Sequence, residues 1–393
     1  MPQWVIGLVS GTSADAVDVA AAGFELRGEV LVLVPGGSTE LPYPEPVRTR
    51  LLDPTGCDAG DVCELDAEIG RCFAAAAERG GALAGDRPEL VASLGQTLHH
   101  RVEHGRVRGT LQLGQPAWIA ERTGLPVVAD LRTRDVAAGG QGAPLAGLLD
   151  ALWLDEGSAA LNLGGIANVS IPGSAPLAYD TGPGNALLDA AAGLTGRGGQ
   201  DTDGALAASG RIRQDLLEAL LADPYYRRAP PKSTGKEHFH ADHLRRHLAE
   251  LSPVADADLF ATLTELTART VADECRARGA RRVVASGGGV RNPSLLAALR
   301  ARLGEVELVV SDELGLPAGG KEAFLAALLG FLAWHGLPGN LPATTGARGP
   351  RVLGSITPGS APLQLPAPAT AGPRRLQVVP HDREGACAPS TSW

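Results

Sequence analysis

Glycines, hydroxyls and carboxylates gather at a few points along this chain, and several of those gatherings suit phosphate chemistry. The first is Gly7-Leu8-Val9-Ser10-Gly11-Thr12-Ser13-Ala14-Asp15-Ala16-Val17-Asp18, a small-residue turn between two apolar runs. Free backbone N–H groups in such a turn can cradle phosphate oxygens, and Asp15 and Asp18 could hold the water shell of a magnesium ion. The same residues would also make a plain polar hairpin. Two more glycine turns follow apolar runs, Leu163-Gly164-Gly165 and Ser286-Gly287-Gly288-Gly289, where a nucleotide could lie close against backbone.

A different chemistry is available at Asp180-Thr181-Gly182-Pro183-Gly184-Asn185. Pro183 and its flanking glycines give a sharp strand-to-helix turn, which leaves Asp180 at the strand end as a candidate acid–base carboxylate, or simply as a turn former or helix cap. The loop Pro231-Lys232-Ser233-Thr234-Gly235-Lys236-Glu237 carries two of only three lysines, the third being Lys321, against 32 arginines. It offers positive charge to a phosphate or acid, or is a solvated loop. Residues 135–145 form a glycine-dense stretch that enters a helix at about Ala143, suited to an anion or sugar, to a hinge, or to a crossover. Asp201, Asp203 and Gly204 read as an acidic loop rather than a metal site.

The elements that must position these groups follow from periodicity. Residues 4–34 read as three β-runs with short turns, an antiparallel meander. A helix is expected over 61–79, short strands at 90–93, 111–114 and 126–129, and a helix at 118–123. The second half starts as the first does, with strand 159–163, a glycine turn and strand 166–170. That duplication predicts two similar units whose glycine hairpins face one cleft and clamp a phosphate chain from both sides. Helices are expected at 186–193, 241–250, 255–278, 293–303 and 321–335, and strands at 177–179, 281–285, 307–310 and 351–356.

Composition bounds the class. At 393 residues two domains are expected. Apolar residues make up 44% and charged residues 20%, fitting a well-buried soluble fold. A formal charge of −9 argues against a nucleic-acid partner, and no apolar run is long enough to span a bilayer. The five cysteines show no metal-ligand spacing, which predicts a reducing compartment without structural zinc. With no signal peptide, the expected location is cytoplasmic. Residues 358–393, rich in Pro, Ala, Ser and Thr, are expected to be disordered.

Taken together over residues 5–357, the motifs resemble the anhydro-N-acetylmuramic acid kinase family of the sugar kinase and actin superfamily. The resemblance rests on Ser10-Gly11-Thr12-Ser13 with Asp15 and Asp18, Gly95-Gln96-Thr97, Asp130-Leu131-Arg132, residues 137–145, 161–169, 180–185, 231–237 and 286–289, and Pro338-Gly339-Asn340-Leu341-Pro342. It implies an α/β, two-domain actin-like ATPase of ribonuclease H-like fold, with residues 1–131 and 346–357 in one domain, 132–345 in the other, and an active-site cleft between them that closes on binding. It also implies an activity: ATP and Mg2+ drive hydrolytic opening of 1,6-anhydro-N-acetylmuramic acid and phosphorylation of O6, in peptidoglycan recycling.

Site roles come with the resemblance. Asp180 is the base that activates water. Gly11, Thr12, Ser13, Ala14, Asp15, Ala16, Val17, Asp18, Gly164, Gly165, Asn168, Gly287, Gly288 and Gly289 bind nucleotide, with Asp15 and Asp18 holding the metal through water. Gln96, Thr97, Arg132, Asn185 and Glu322 bind the anhydro-amino-sugar, Arg132 pairing with its lactyl carboxylate. A homodimer is expected. The chain departs from the family pattern at Leu94 (usually His), Val9 (Met), Ala16 (Gly) and Leu131 (Phe). Rival readings are a same-fold kinase for another sugar or acid, and a non-catalytic nucleotide-dependent binding protein.

Overall fold

Thirteen strands and the helices between them make two sheets, described for residues 1–380 apart from 12, 55, 104–105, 174–175, 197–200, 231, 236 and 370 in a computed structural model. Thr12, Lys236 and the tail beyond 380 lie outside the described residues. In chain order the strands are β1 (Gln3–Ser10), β2 (Ala16–Arg27), β3 (Val30–Pro42), β4 (Leu90–Glu103), β5 (Arg106–Leu113), β6 (Val127–Ala129), β7 (Ser158–Leu163), β8 (Ile166–Ile171), β9 (Leu177–Pro183), β10 (Arg282–Ser286), β11 (Glu307–Val310), β12 (Ser355–Thr357) and β13 (Arg375–Val378).

The first sheet runs β12-β6-β4-β1-β2-β3-β13, with β5 paired to β4, and the second runs β11-β10-β7-β8-β9. At the centre of each is the same arrangement. Three antiparallel strands, β1-β2-β3 or β7-β8-β9, are followed on the side of the first strand by two parallel ones, β4 and β6 or β10 and β11. This repeated order is the ribonuclease H-like, actin-type core that the family resemblance implied, in the two similar units that the duplicated sequence pattern predicted.

Parallel pairing requires a crossover, and in both halves a long helix supplies it. Ala59–Gly81 connects β3 toward β4 and buries Leu65, Ile69 and Phe73 against Ile6, Leu8, Val17 and Val19. Asp58 caps it, accepting from the Gly60 and Asp61 N–H groups while the Asp61 side chain accepts from the Asp58 N–H. Asp256–Ala277 plays the equivalent part before β10, packing Ala268 and Val271 on Leu161 and Val169.

Two helices lie where the expected boundary did not put them. Lys321–Trp334 presses Phe324, Leu328 and Leu332 onto Val5, Ala20, Phe24 and Leu90 of the first sheet, and Leu149 and Leu152 of Ala146–Trp153 join the same core. Both fall in the 132–345 stretch assigned to the second domain. A helix that is apolar all round needs cover on all sides, and for Lys321–Trp334 the first sheet supplies much of it. The approach is close enough at Gly7 that a Cβ there would stand 1.9 Å from the Ala323 carbonyl oxygen. Glu322 is thereby fixed at the junction of the two halves.

The chain end also departs from expectation. Disorder was expected from residue 358, yet β13 adds to β3 in parallel register, and Leu376 is buried in the first core. Four alternating residues in a Pro- and Ala-rich stretch carry too little compositional signal to be seen. Helices Glu45–Leu52 and Gln214–Leu221 were likewise not anticipated. Among the described residues no helix is long and apolar enough to cross a membrane.

Candidate active site

Cross-strand register builds the site. On the first sheet Asp18 of β2 stands directly opposite Glu40 of β3. Like charges in that position repel; Asp18 is half-buried here and Glu40 is exposed. Burial, with Glu40 and Glu322 adding negative potential and Arg291 opposing, pushes the Asp18 carboxyl up to about 7. Arg291 reaches from the turn after β10 to pair with Glu40 at 3.0 Å, an ion pair that joins the two halves.

On the second sheet a polar row crosses four strands. Ser286 of β10 is partnered with Asn162 of β7, Asn162 with Asn168 of β8, and Asn168 with Asp180 of β9. Partnered residues share a face, so these four project together while Leu161, Leu163, Ala167 and Val169 fill the core behind. Asn162 donates to Glu322 across 3.4 Å. Glu322 therefore touches this row and also lies within the electrostatic reach of Asp18 and Arg132, which makes it the common member of both faces.

Asp180 has its own cradle. The Thr234 N–H donates to its carboxylate at 2.9 Å, its N–H donates to the Lys232 carbonyl at 3.0 Å, and the Tyr225 hydroxyl donates to its carbonyl at 2.7 Å. Burial pushes its carboxyl up to about 6, the Thr234 N–H opposing and Glu237 adding to the rise. A buried carboxylate with one oriented N–H and an elevated pKa suits a general base near neutral pH. Lys232 itself is neither solvated nor free for substrate. Its ammonium pairs with Glu274 at 2.8 Å, buried, and Glu274 also accepts from the Tyr179 hydroxyl at 2.9 Å. The lysine fixes the loop that holds Asp180.

Along the described residues of the 10–18 turn, Ser10, Ala14 and Val17 are buried while Asp15 is exposed. Ala14 and Val17 are buried in the core, Ser10 donates to the Ala16 carbonyl at 2.8 Å, and Gln96 donates to the Gly11 carbonyl at 3.3 Å. Gln96 is buried and spends its amide bracing the turn, so the sugar role expected for it is not visible in this geometry. Thr97 accepts from Gln112 at 3.3 Å. Asp15 is exposed and bound to Arg48 at 2.8 Å. That leaves Asp18, and Glu40, missed from sequence, as the carboxylates of this face. Ala16 simply starts β2, whereas the left-handed backbone falls on Ala14, at φ 51°.

The glycine triplet divides by role. A Cβ on Gly287, where φ is +86°, would meet Asn162 Oδ1 at 2.4 Å, and one on Gly289 would meet the Leu163 Cβ at 2.7 Å. Both let the β10 turn sit on the β7–β8 hairpin. Only Gly288 opens to free space. Gly164 and Gly165 direct their carbonyls at the start of helix Ala186–Leu194, accepting from Asn185 N–H, Gly184 N–H and Ala186 N–H at 2.9 Å each. The Asn185 amide donates to the Leu163 carbonyl at 3.4 Å, on the glycine-hairpin side.

Arg132 stands at the start of the glycine-dense loop. One Nη donates to the Gly142 carbonyl at 2.9 Å, while its buried Nε has no partner among the described residues. Burial lowers the guanidinium's pKa and Glu322 opposes this. A desolvated guanidinium with an unused donor favours a planar oxyanion ligand. The loop is held from behind by Asp135, wholly buried, whose carboxylate accepts from Gly142 N–H at 2.8 Å and from Asn340 and Thr345 at 2.7 Å each. The Pro338–Pro342 motif thus anchors the loop through Asn340. The departures from the family pattern at Leu94, Val9 and Leu131 are all packed in the first core.

Residues 3–359 match the anhydro-N-acetylmuramic acid kinase family. Curated relatives of that name include one from Streptomyces coelicolor, 56% identical over 387 residues that cover 95% of this chain and 99% of the relative. One from Rhodococcus erythropolis is 52% identical with the same shares, and one from Gloeobacter violaceus is 41% identical over 91% and 99%. Similarity that spans almost the whole of both chains, with the paired carboxylates, the polar row and the glycine turns set on one duplicated core, leads to a plain conclusion: the chain belongs to the anhydro-N-acetylmuramic acid kinase family.

Proposed function

We propose that this enzyme uses ATP to convert 1,6-anhydro-N-acetylmuramic acid to N-acetylmuramic acid 6-phosphate, serving peptidoglycan recycling. The observation that carries the reading is the cradled, partly buried Asp180 at the end of a polar row that leads through Asn168 and Asn162 to Glu322. A nucleotide-dependent binding protein has no use for such a base. Arg132, with its unused donor, takes the lactyl carboxylate. Asp180 removes a proton from water as the water oxygen bonds to C1. The C1–O6 bond breaks and O6 accepts the γ-phosphoryl group, while ADP leaves and the proton passes to solvent. Gly288 and the backbone of the 10–18 turn lie against the phosphates.

The donor set fits magnesium. Asp18 and Glu40, the latter also paired with Arg291, would be opposed oxygen ligands whose mutual repulsion a hard cation would relieve, with Glu322 nearby. When bound, the ion neutralises developing phosphate charge. Because the Asp18 carboxyl titrates at about 7, Mg2+ affinity is expected to fall as pH drops below 7. A flat Mg2+ dependence between pH 6 and 8 (about one unit either side of that value) would remove Asp18 from the site. Asp18→Asn should weaken Mg2+ activation. It should not lower stability, since ionising a carboxyl whose pKa is raised on folding costs stability as pH climbs.

The homodimer belongs to this reading by family resemblance, and the cytoplasmic location by the sequence reading given above. Coupled measurement of ADP release with and without the anhydrosugar tests the function. Sugar-stimulated turnover is expected; turnover indifferent to sugar would point to the binding-protein reading, and stimulation only by another sugar to the rival kinase.

A further inference from the structure

Close to the residues that hold Asp180, three segments bring metal-ligating groups together. Asp223 begins the turn Pro224–Arg227, His238 ends the 232–239 loop, and His243 lies in helix Ala241–Ala249. One ligand atom from each falls within 4.8 Å of the others, and His238 Nε2 is 2.8 Å from Asp223 Oδ2. The His247 ring follows one helical turn after His243, with centroids 4.8 Å apart. These groups line a cavity of 490 Å³.

Asp223 and His238 would make a satisfactory pair without any ion, but two features are left over. His243 is buried and has no hydrogen-bond partner among the described residues. Asp223 also accepts from the Tyr225 N–H at 2.8 Å through its second oxygen, which orients the carboxylate as outer partners of metal ligands do. Two imidazoles and a carboxylate form a donor set for zinc-class ions rather than magnesium, with room for water or His247 in the fourth position. Ligand atoms around a tetrahedral zinc sit roughly 3.3 Å apart, given bonds of about 2.0 to 2.1 Å, so modest ring rotation closes the set.

We propose that Asp223, His238 and His243 form a zinc-class divalent metal site distinct from the magnesium position, which braces the segments that hold Asp180. The bracing follows from connectivity. Asp223 is two residues from Tyr225, whose hydroxyl holds the Asp180 carbonyl, and His238 closes the loop whose Thr234 N–H holds the Asp180 carboxylate. The metal site stands on its own geometry; its effect on turnover rests on the reading of Asp180. The lack of metal spacing among the cysteines gave no hint of it, because its ligands are a carboxylate and histidines joined only by folding.

The test uses the full, tag-free chain, stripped with chelator and kept in excess magnesium. Zn2+ titrated by calorimetry should bind at one per chain, and Co2+ should give the visible absorption of a low-coordinate nitrogen and oxygen site. At a hundredfold excess of Zn2+ over Kd the Tm should rise by roughly 4 °C. His238→Gln and His243→Gln should each weaken binding about tenfold or more, while His335→Gln, remote from the cavity, should not. His238 is part-exposed, so its variant should fold even if the His243 variant does not. Absence of saturable binding, or unchanged affinity in His238→Gln, would overturn the site. Normal binding with no effect on the KM or kcat of sugar turnover would overturn the brace while leaving the metal site intact.

Discussion

Asp180→Asn should stop sugar-stimulated ADP release, lowering kcat by about 1,000-fold, the scale of a lost general base, with nucleotide affinity unchanged. The Asn oxygen can still accept from the Thr234 N–H, and the backbone bonds from Tyr225 and to Lys232 do not involve the side chain. The cradle therefore survives the substitution. The sign of the stability effect separates chemistry from collapse. The folded carboxyl titrates at about 6, above the ordinary 3.8, so the native state binds more protons between those values and loses stability as pH rises through them. A neutral Asn escapes this, and the variant should melt no lower than the wild type at pH 8. In the wild type, kcat/KM should climb with pH through about 6 and then level, since the base form is the active one. Near-normal turnover in Asp180→Asn, or inactivity accompanied by a large fall in Tm, would refute the assignment.

Replacing Arg132 should separate the two substrates. Arg132→Met is expected to raise the KM for the anhydrosugar about 100-fold, the weight of a charge-assisted contact left unmade, and to leave the KM for ATP within about twofold. Arg132→Lys should recover little, because an ammonium cannot reproduce a planar two-donor fork. The bond from Arg132 to the Gly142 carbonyl is lost in both, yet Asp135 still holds the Gly142 N–H, so the loop keeps its anchor. An anhydrosugar lacking the lactyl carboxylate supplies the decisive comparison: the wild type should strongly prefer the acid, and Arg132→Met should not. A larger change in ATP KM than in sugar KM would contradict the role.

Local pattern made much of this molecule legible. The meander of residues 4–34, the repeated glycine hairpin at 159–170 and the strand that delivers Asp180 follow from short β-rich apolar runs broken by turn residues, signals that act over a few residues. The glycine turns are visible because only glycine tolerates positive φ or a backbone contact such as that at Gly287. Residue type and local turn chemistry marked Asp18 and Asp180 as groups worth following, and the family resemblance added Arg132.

What sequence could not show was who stands opposite whom. Asp15 and Asp18 look equivalent on the chain, but the strand register sends Asp18 to Glu40 while Arg48, distant in sequence, takes Asp15. Gln96, expected as a sugar contact, also donates to the Gly11 carbonyl, a bond that chain order does not reveal. Asn162 and Glu40, unnoticed among apolar runs, become site residues only when strands align. Lys321–Trp334 reads as part of the second half, yet its all-round apolar surface binds it to the first sheet and sets Glu322 between both. Sequence alone indicated most of the strands, helices and glycine turns, and its resemblance to a family implied the reaction. The tertiary structure decided charge pairing, burial and the resulting pKa shifts, because these depend on distances between groups that the chain order leaves free.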